Sequence, residues 1–92
     1  MPLIKIKPES ITEMTGGRPY SFKPKKHYWI ATEQIIMANV CEEVVSGLLC
    51  LLIKVPGINY IIPIETEIRQ GLTMEERYSL AEKEAGYILT SY

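Results

Sequence analysis

Aspartate is absent from the 92 residues, so all 11 acids are glutamates. That removes the Asp-based metal loops and the aspartyl nucleophile. There is one histidine, His27, and there are two cysteines, Cys41 and Cys50. A Ser-His or Cys-His pair would have to use His27. No third group in the sequence points to it, so it reads as a surface or strand-edge histidine. A four-ligand zinc site would need glutamate to complete it, and no C-x-x-C spacing occurs. The cysteines read as core packing, because free cysteine is among the most buried residue types. Phosphate-loop, nucleophile-elbow and dinucleotide-binding patterns are also missing, and Gly16-Gly17-Arg18 alone does not make one. Glu42-Glu43 and Glu75-Glu76 are sequence neighbours, which do not face each other on a helix, and so read as solvated surface. These absences lead us to expect no enzyme, no catalytic residues, no cofactor and no metal.

A long apolar segment at the start is lacking too, so no signal peptide is expected and a cytoplasmic, reducing compartment with free thiols is the default. Residues 44–64 are apolar enough to ask about a membrane. Pro56-Gly57 in their middle and Pro63 near their end oppose a continuous spanning helix. The stretch reads as core, and no membrane partner is expected.

What is present suits a small globular chain: 47% hydrophobic and 23% charged residues. A single domain over 1–92 is expected, burying about 60% of the surface of its unfolded chain. The net charge of −1 hides a division. Residues 1–32 hold six basic and two acidic residues, a net of +4. Residues 33–92 hold four basic and nine acidic residues, a net of −5. The two parts either attract each other or present different faces to partners.

Along the chain, Ile4 and Ile6 alternate with Lys5 and Lys7, the pattern of a half-buried strand stopped by Pro8. Ser10 and Glu13 match a capping box and predict a helical turn or two ended by Gly16-Gly17. Residues 16–26, with two glycines and two prolines, predict a loop or a flexible, extended basic and aromatic arm. Residues 27–31 suit a short strand. Thr32 then reads as an N-cap for an amphipathic helix, with Met37, Val40, Cys41, Val44 and Val45 on its buried face and Ser46-Gly47 at its end.

Residues 48–55 are apolar all round, which periodicity alone cannot assign. Pro56-Gly57 fits the centre of a type II turn, and 58–69 alternates. We therefore expect an antiparallel hairpin over 48–69. Thr73 and Glu76 form a second capping box, followed by Met74, Tyr78, Ala81, Ala85 and Ile88 at helical spacing. The expected fold class is α+β, a small single domain of order β-β-α-β-β-α with the hairpin packed against two helices. If the helix stops at Gly86 and 87–91 returns as a strand, the order from residue 27 is βαββαβ, a ferredoxin-like arrangement.

The strongest functional signal is the stretch 18–29. Arg18, Lys23, Lys25 and Lys26 interleave with Tyr20, Phe22, Tyr28 and Trp29, and no acid occurs over 14–32. Half of the protein's eight aromatic residues lie over 20–29. Cations track a phosphate backbone and aromatic faces stack on bases, so a single-stranded nucleic acid is one candidate ligand. The same residues also serve as a protein-docking patch, and no named nucleic-acid motif is present. Pro63, which cannot donate to a ladder, predicts an edge strand open to a protein partner or a homodimer. The leading expectation is a non-catalytic protein-interaction module, an inhibitor or adaptor that occludes a partner's surface. The alternative is a small single-stranded nucleic-acid-binding domain using 18–29.

Overall fold

The computed structural model describes residues 3–15 and 17–90. Seven strands precede one helix: β1 (Leu3–Ile6), β2 (Ser10–Thr15), β3 (Arg18–Phe22), β4 (Tyr28–Ala31), β5 (Met37–Glu42), β6 (Leu49–Val55), β7 (Ile58–Pro63) and α1 (Met74–Thr90). β2, β3, β5, β6 and β7 form one antiparallel sheet of order β3-β2-β7-β6-β5, while β1 and β4 pair antiparallel as a separate two-stranded sheet. The expected order with two helices is therefore overturned. Among the described residues the protein is mostly sheet, with one α-helix toward its C-terminal side.

The hairpin at 48–69 does form, in shortened form. Val55 pairs with Ile58 across Pro56-Gly57, and Gly57 takes φ +77°. That left-handed conformation is open to glycine and strained for other residues, which is why the dipeptide turns the chain here. The partner strand ends at Pro63 and does not run to residue 69. Nor is it an edge: β7 lies between β2 and β6. The β2–β7 ladder ends at Ser10 with Ile61, where the register shifts by one residue as Glu9 N–H also donates to the Ile61 carbonyl at 2.7 Å. Pro63, which has no N–H to give, lies past that end and pairs only with Cys50 of β6.

The largest correction concerns 32–47. Thr32–Gln34 makes one 3₁₀ turn, and β5 follows in place of the expected amphipathic helix. The cause is non-local. β6 is buried along most of its length, so the backbone N–H and C=O groups on both of its edges need a strand to pair with. Residues 37–42 satisfy its second edge through a six-residue register from Met37 with Lys54 to Glu42 with Leu49. Alternation of Ala38 and Val40 with Met37, Asn39 and Cys41 serves that ladder as well as the three-and-four spacing serves a helix. Val44 and Val45, expected to be buried, are 95% and 92% exposed in the loop between β5 and β6.

The capping box at Ser10 and Glu13 is likewise replaced by a strand. β2 gains ladders on both sides, to β3 and β7, which outweigh one local cap. Within the stretch 16–26, residues 18–22 are β3. Thr15 pairs with Arg18 across the glycine turn, and Gly16 lies outside the described residues. β3 is an edge strand, where Pro19 is tolerated.

The capping box at the start of α1 forms as expected. Thr73 N–H donates to Glu76 Oε1 at 3.1 Å and Glu76 N–H to Thr73 Oγ1 at 3.2 Å. The helix runs through Gly86 to Thr90, which excludes the ferredoxin-like alternative; Ser91, the last residue of that expected strand, lies outside the described residues. Ala81 and Ala85 turn inward as their spacing implies.

The core lies between the large sheet on one side and α1 with the small sheet on the other. Ile11, Leu51, Ile53, Val55, Tyr60 and Ile62 project from the large sheet onto Ile4, Ile6 and Ile30 of the small one and Ala85 of the helix. At about 25 cal/mol per Å² of buried apolar surface, this cluster is the main stabilising term. Among the described residues, no helix is long and apolar enough to cross a membrane.

Candidate functional site

The inward turn of Ile4, Ile6 and Ile30 dictates what the small sheet presents outward. Lys5 pairs with Trp29 and Leu3 with Ala31. Continuing that register places Lys7 opposite His27. Trp29 is 58% exposed, and Lys5 Nζ lies 5.6 Å from its ring centroid, within cation–π range. Lys5, Lys7, His27 and Trp29 line one groove of about 630 Å³, whose apolar wall is Ile6, Ile62, Pro63 and Ile88. No carboxylate is among these lining residues. The groove therefore offers positive charge and one open aromatic face against an aliphatic floor. It suits a ligand that is anionic at one point and apolar at another.

Tertiary structure divides the eight residues singled out over 18–29. Trp29 is in this groove, but Tyr28, its neighbour in β4, faces the other way and packs against Tyr60 with ring centroids 6.3 Å apart. Lys26 Nζ lies 5.9 Å from the Tyr28 ring. Arg18, Tyr20 and Phe22 belong to β3 at the edge of the other sheet, with Tyr20 and Phe22 stacked side by side at 5.8 Å. Phe22 is half-buried against the core. Lys25 is exposed between β3 and β4, and Lys23 lines a separate groove. One stretch of chain thus supplies residues to at least three places. Lys5 and Lys7 were legible as outward-facing lysines, but only the β1–β4 pairing sets them beside Trp29.

The second groove, about 680 Å³, lies on the face of the large sheet turned away from the core. Ser10, Ile61, Pro63, Cys41 and Cys50 line it, with Glu9 and Lys23 on one side and the 43–48 loop on the other. Glu43 shapes that loop by accepting hydrogen bonds from Ser46 N–H at 2.6 Å and Val45 N–H at 3.2 Å. Bonding from the Ser46 hydroxyl and these amides holds its carboxyl below the usual value.

Cys41 and Cys50 pair directly across β5 and β6, with Sγ atoms 3.6 Å apart. Cys50 is buried, as its apolar strand implies, while Cys41 is half-exposed on β5 and does not face the core from a helix. Burial, followed by the neighbouring Cys41 thiol, pushes the Cys50 thiol up to about 12. Cys50 is therefore a protonated, weakly nucleophilic group at neutral pH.

Among the described residues, no three histidine, cysteine or glutamate side chains cluster as metal ligands would. Every buried side-chain nitrogen and oxygen there has a hydrogen-bond partner. No family model matches the chain, and no curated protein or solved structure matches it.

Proposed function

We propose that this chain is a non-catalytic protein-interaction module, an inhibitor or adaptor that works by occluding a partner's surface. Its working surface is the groove beside Trp29, and its ligand is a partner segment combining acidic side chains with an aliphatic anchor. The observation that carries this reading is the open Trp29 ring set among Lys5, Lys7 and His27, with no carboxylate in the lining. An exposed tryptophan beside an aliphatic wall is the residue type that most often dominates a protein interface. The lysines supply orientation and encounter rate more than affinity.

A titration of Trp29 fluorescence tests this, using glutamate-rich peptides with and without a central isoleucine. The anchored acidic peptides shift the emission, and in calorimetric titrations, which need no fluorophore, Trp29→Ala or the Lys5→Glu, Lys7→Glu pair abolishes binding with the fold intact. A flat response to every peptide at low salt removes the groove as the working surface.

The second reading is a single-stranded nucleic acid on the same lysines. Stacking successive bases calls for a series of aromatic platforms, whereas this groove offers one, with Tyr28 turned inward and Tyr20 in the other sheet. Short single-stranded DNA and RNA titrated at low and moderate salt distinguish the readings: salt-sensitive quenching of Trp29 favours nucleic acid. A homodimer belongs to the same class of proposal. Its open edge is no longer the strand of Pro63 but β5, the outer strand of the large sheet that carries neither proline nor lysine. Sedimentation of the full chain with and without Asn39→Lys, at an exposed position of β5, tests it.

A further inference from the structure

We propose that Cys41 and Cys50 form a reversible redox pair, closing a cross-strand disulfide that staples the 43–48 loop to the rim of the outer groove. The two residues stand opposite each other in the β5–β6 register, with Sγ atoms 3.6 Å apart. Directly opposed residues in an antiparallel pair have Cα atoms about 4.5–5.5 Å apart, inside the range of about 4.4–6.8 Å that disulfides span. Side-chain rotation therefore suffices to close the bond, and the ladder on either side is undisturbed. Both thiols are free and both line the groove, so a small thiol reagent has a path to them. Eight residues separate them, and among these are Val44 and Val45, the two most exposed large apolar side chains among the described residues. The staple restricts the loop that presents them.

Their environments assign the order of events. Half-exposed Cys41 is the entry thiol. Its thiolate attacks one sulfur of oxidised glutathione, forming a mixed disulfide on Cys41 and releasing one glutathione thiolate. Cys50 then loses its proton to solvent base and attacks Cys41 Sγ, expelling the second glutathione thiolate. Two protein thiols are oxidised to one disulfide by two electrons, and one oxidised glutathione is reduced to two glutathione thiols. Burial makes Cys50 the slow partner. Conversion of Cys41 to a mixed disulfide removes the neighbouring thiol that helps hold the Cys50 proton, and the closing step accelerates as pH rises.

The test incubates the folded full chain with oxidised glutathione, traps remaining thiols with an alkylating agent in denaturant, and maps the products by mass spectrometry. Oxidised wild type loses two alkylatable thiols as one intramolecular 41–50 link, with no glutathione retained. Cys50→Ser halts at a single glutathione adduct on Cys41, whereas Cys41→Ser reacts at least tenfold more slowly at Cys50. The linked form melts about 10 °C above the reduced form, since the bond restricts the unfolded chain without distorting the folded one. Stable double adducts, links between two chains, persistently alkylatable thiols, or a linked form that melts below the reduced one would each overturn the proposal. The Cys50→Ser variant stays informative should the link prove slow, because formation of its adduct depends on Cys41 access alone.

Discussion

Arg77 and Glu65 meet face to face through two parallel hydrogen bonds, Nε to Oε2 at 3.1 Å and Nη2 to Oε1 at 2.7 Å. Both side chains are buried. The pair is bonded on its remaining sides: Leu49 N–H donates to Glu65 Oε1 at 2.8 Å, and Arg77 Nη2 donates to the Gly47 carbonyl at 3.0 Å. One side chain from the first turns of α1 thereby fastens the helix to the start of β6, to the loop before it and to the segment after β7. Planar guanidinium–carboxylate pairing of this kind is geometrically demanding, and lysine does not reproduce it.

Removal of either partner leaves a buried charge without its counterpart, which is more damaging than removal of both. Arg77→Met and Glu65→Gln are each expected to lower Tm by more than about 5 °C, and Arg77→Lys to fall between them and wild type. The double variant Glu65→Leu, Arg77→Met should recover part of the loss. Thermal melts of the four variants check this, and a double variant no better than the worse single one would show that the pair does not act as a unit.

Acid should weaken the fold through the same residue. The Arg77 hydrogen bonds, joined by the Leu49 N–H and opposed by burial, hold the Glu65 carboxyl below its usual value of 4.5. A carboxyl depressed in the folded state contributes stability above its unfolded value and loses it as pH falls through its folded value. Urea midpoints should therefore hold steady from neutrality to about pH 5 and decline below about pH 4.5. Glu65→Gln should flatten part of that acid limb. An acid limb unchanged by this substitution would assign the loss to other carboxylates.

The turn at Pro56-Gly57 offers a local test. A Cβ at Gly57 would meet nothing within 4 Å, so Gly57→Ala isolates backbone strain at φ +77°. The expected loss is about 1–2 kcal/mol, the left-handed penalty for an ordinary residue. Denaturant titration measures it, and a neutral result would mean the turn relaxes to another type.

Strand and helix assignments for 37–47 make opposite predictions about two valines. With Val44 and Val45 in an exposed loop, Val44→Ser and Val45→Ser should each change stability by less than about 0.5 kcal/mol. Leu51→Ala, on the fully buried face of β6, should lose about 2–5 kcal/mol. A large loss at the valines would restore the helix that their spacing suggests.

The sequence by itself determined the elements whose signals are local. Lys5 and Lys7 alternating with Ile4 and Ile6 mark β1. Pro56-Gly57 marks the hairpin, and Thr73 with Glu76 marks the start of α1. At these places the local pattern and the tertiary partners agree, whereas the equally local Ser10–Glu13 capping box gave way to ladders with β3 and β7. Only the tertiary structure decided 10–15 and 37–42, whose residues fit either a helical face or an alternating strand. Their state followed from ladder edges on β7 and β6 that unpaired backbone groups must fill. The candidate site was decided in the same way. Trp29 was visible as an aromatic among cations, but its companions Lys5 and Lys7 lie more than twenty positions away. They reach it because burial of Ile4, Ile6 and Ile30 on one side of a two-stranded sheet forces the lysines and the tryptophan together on the other.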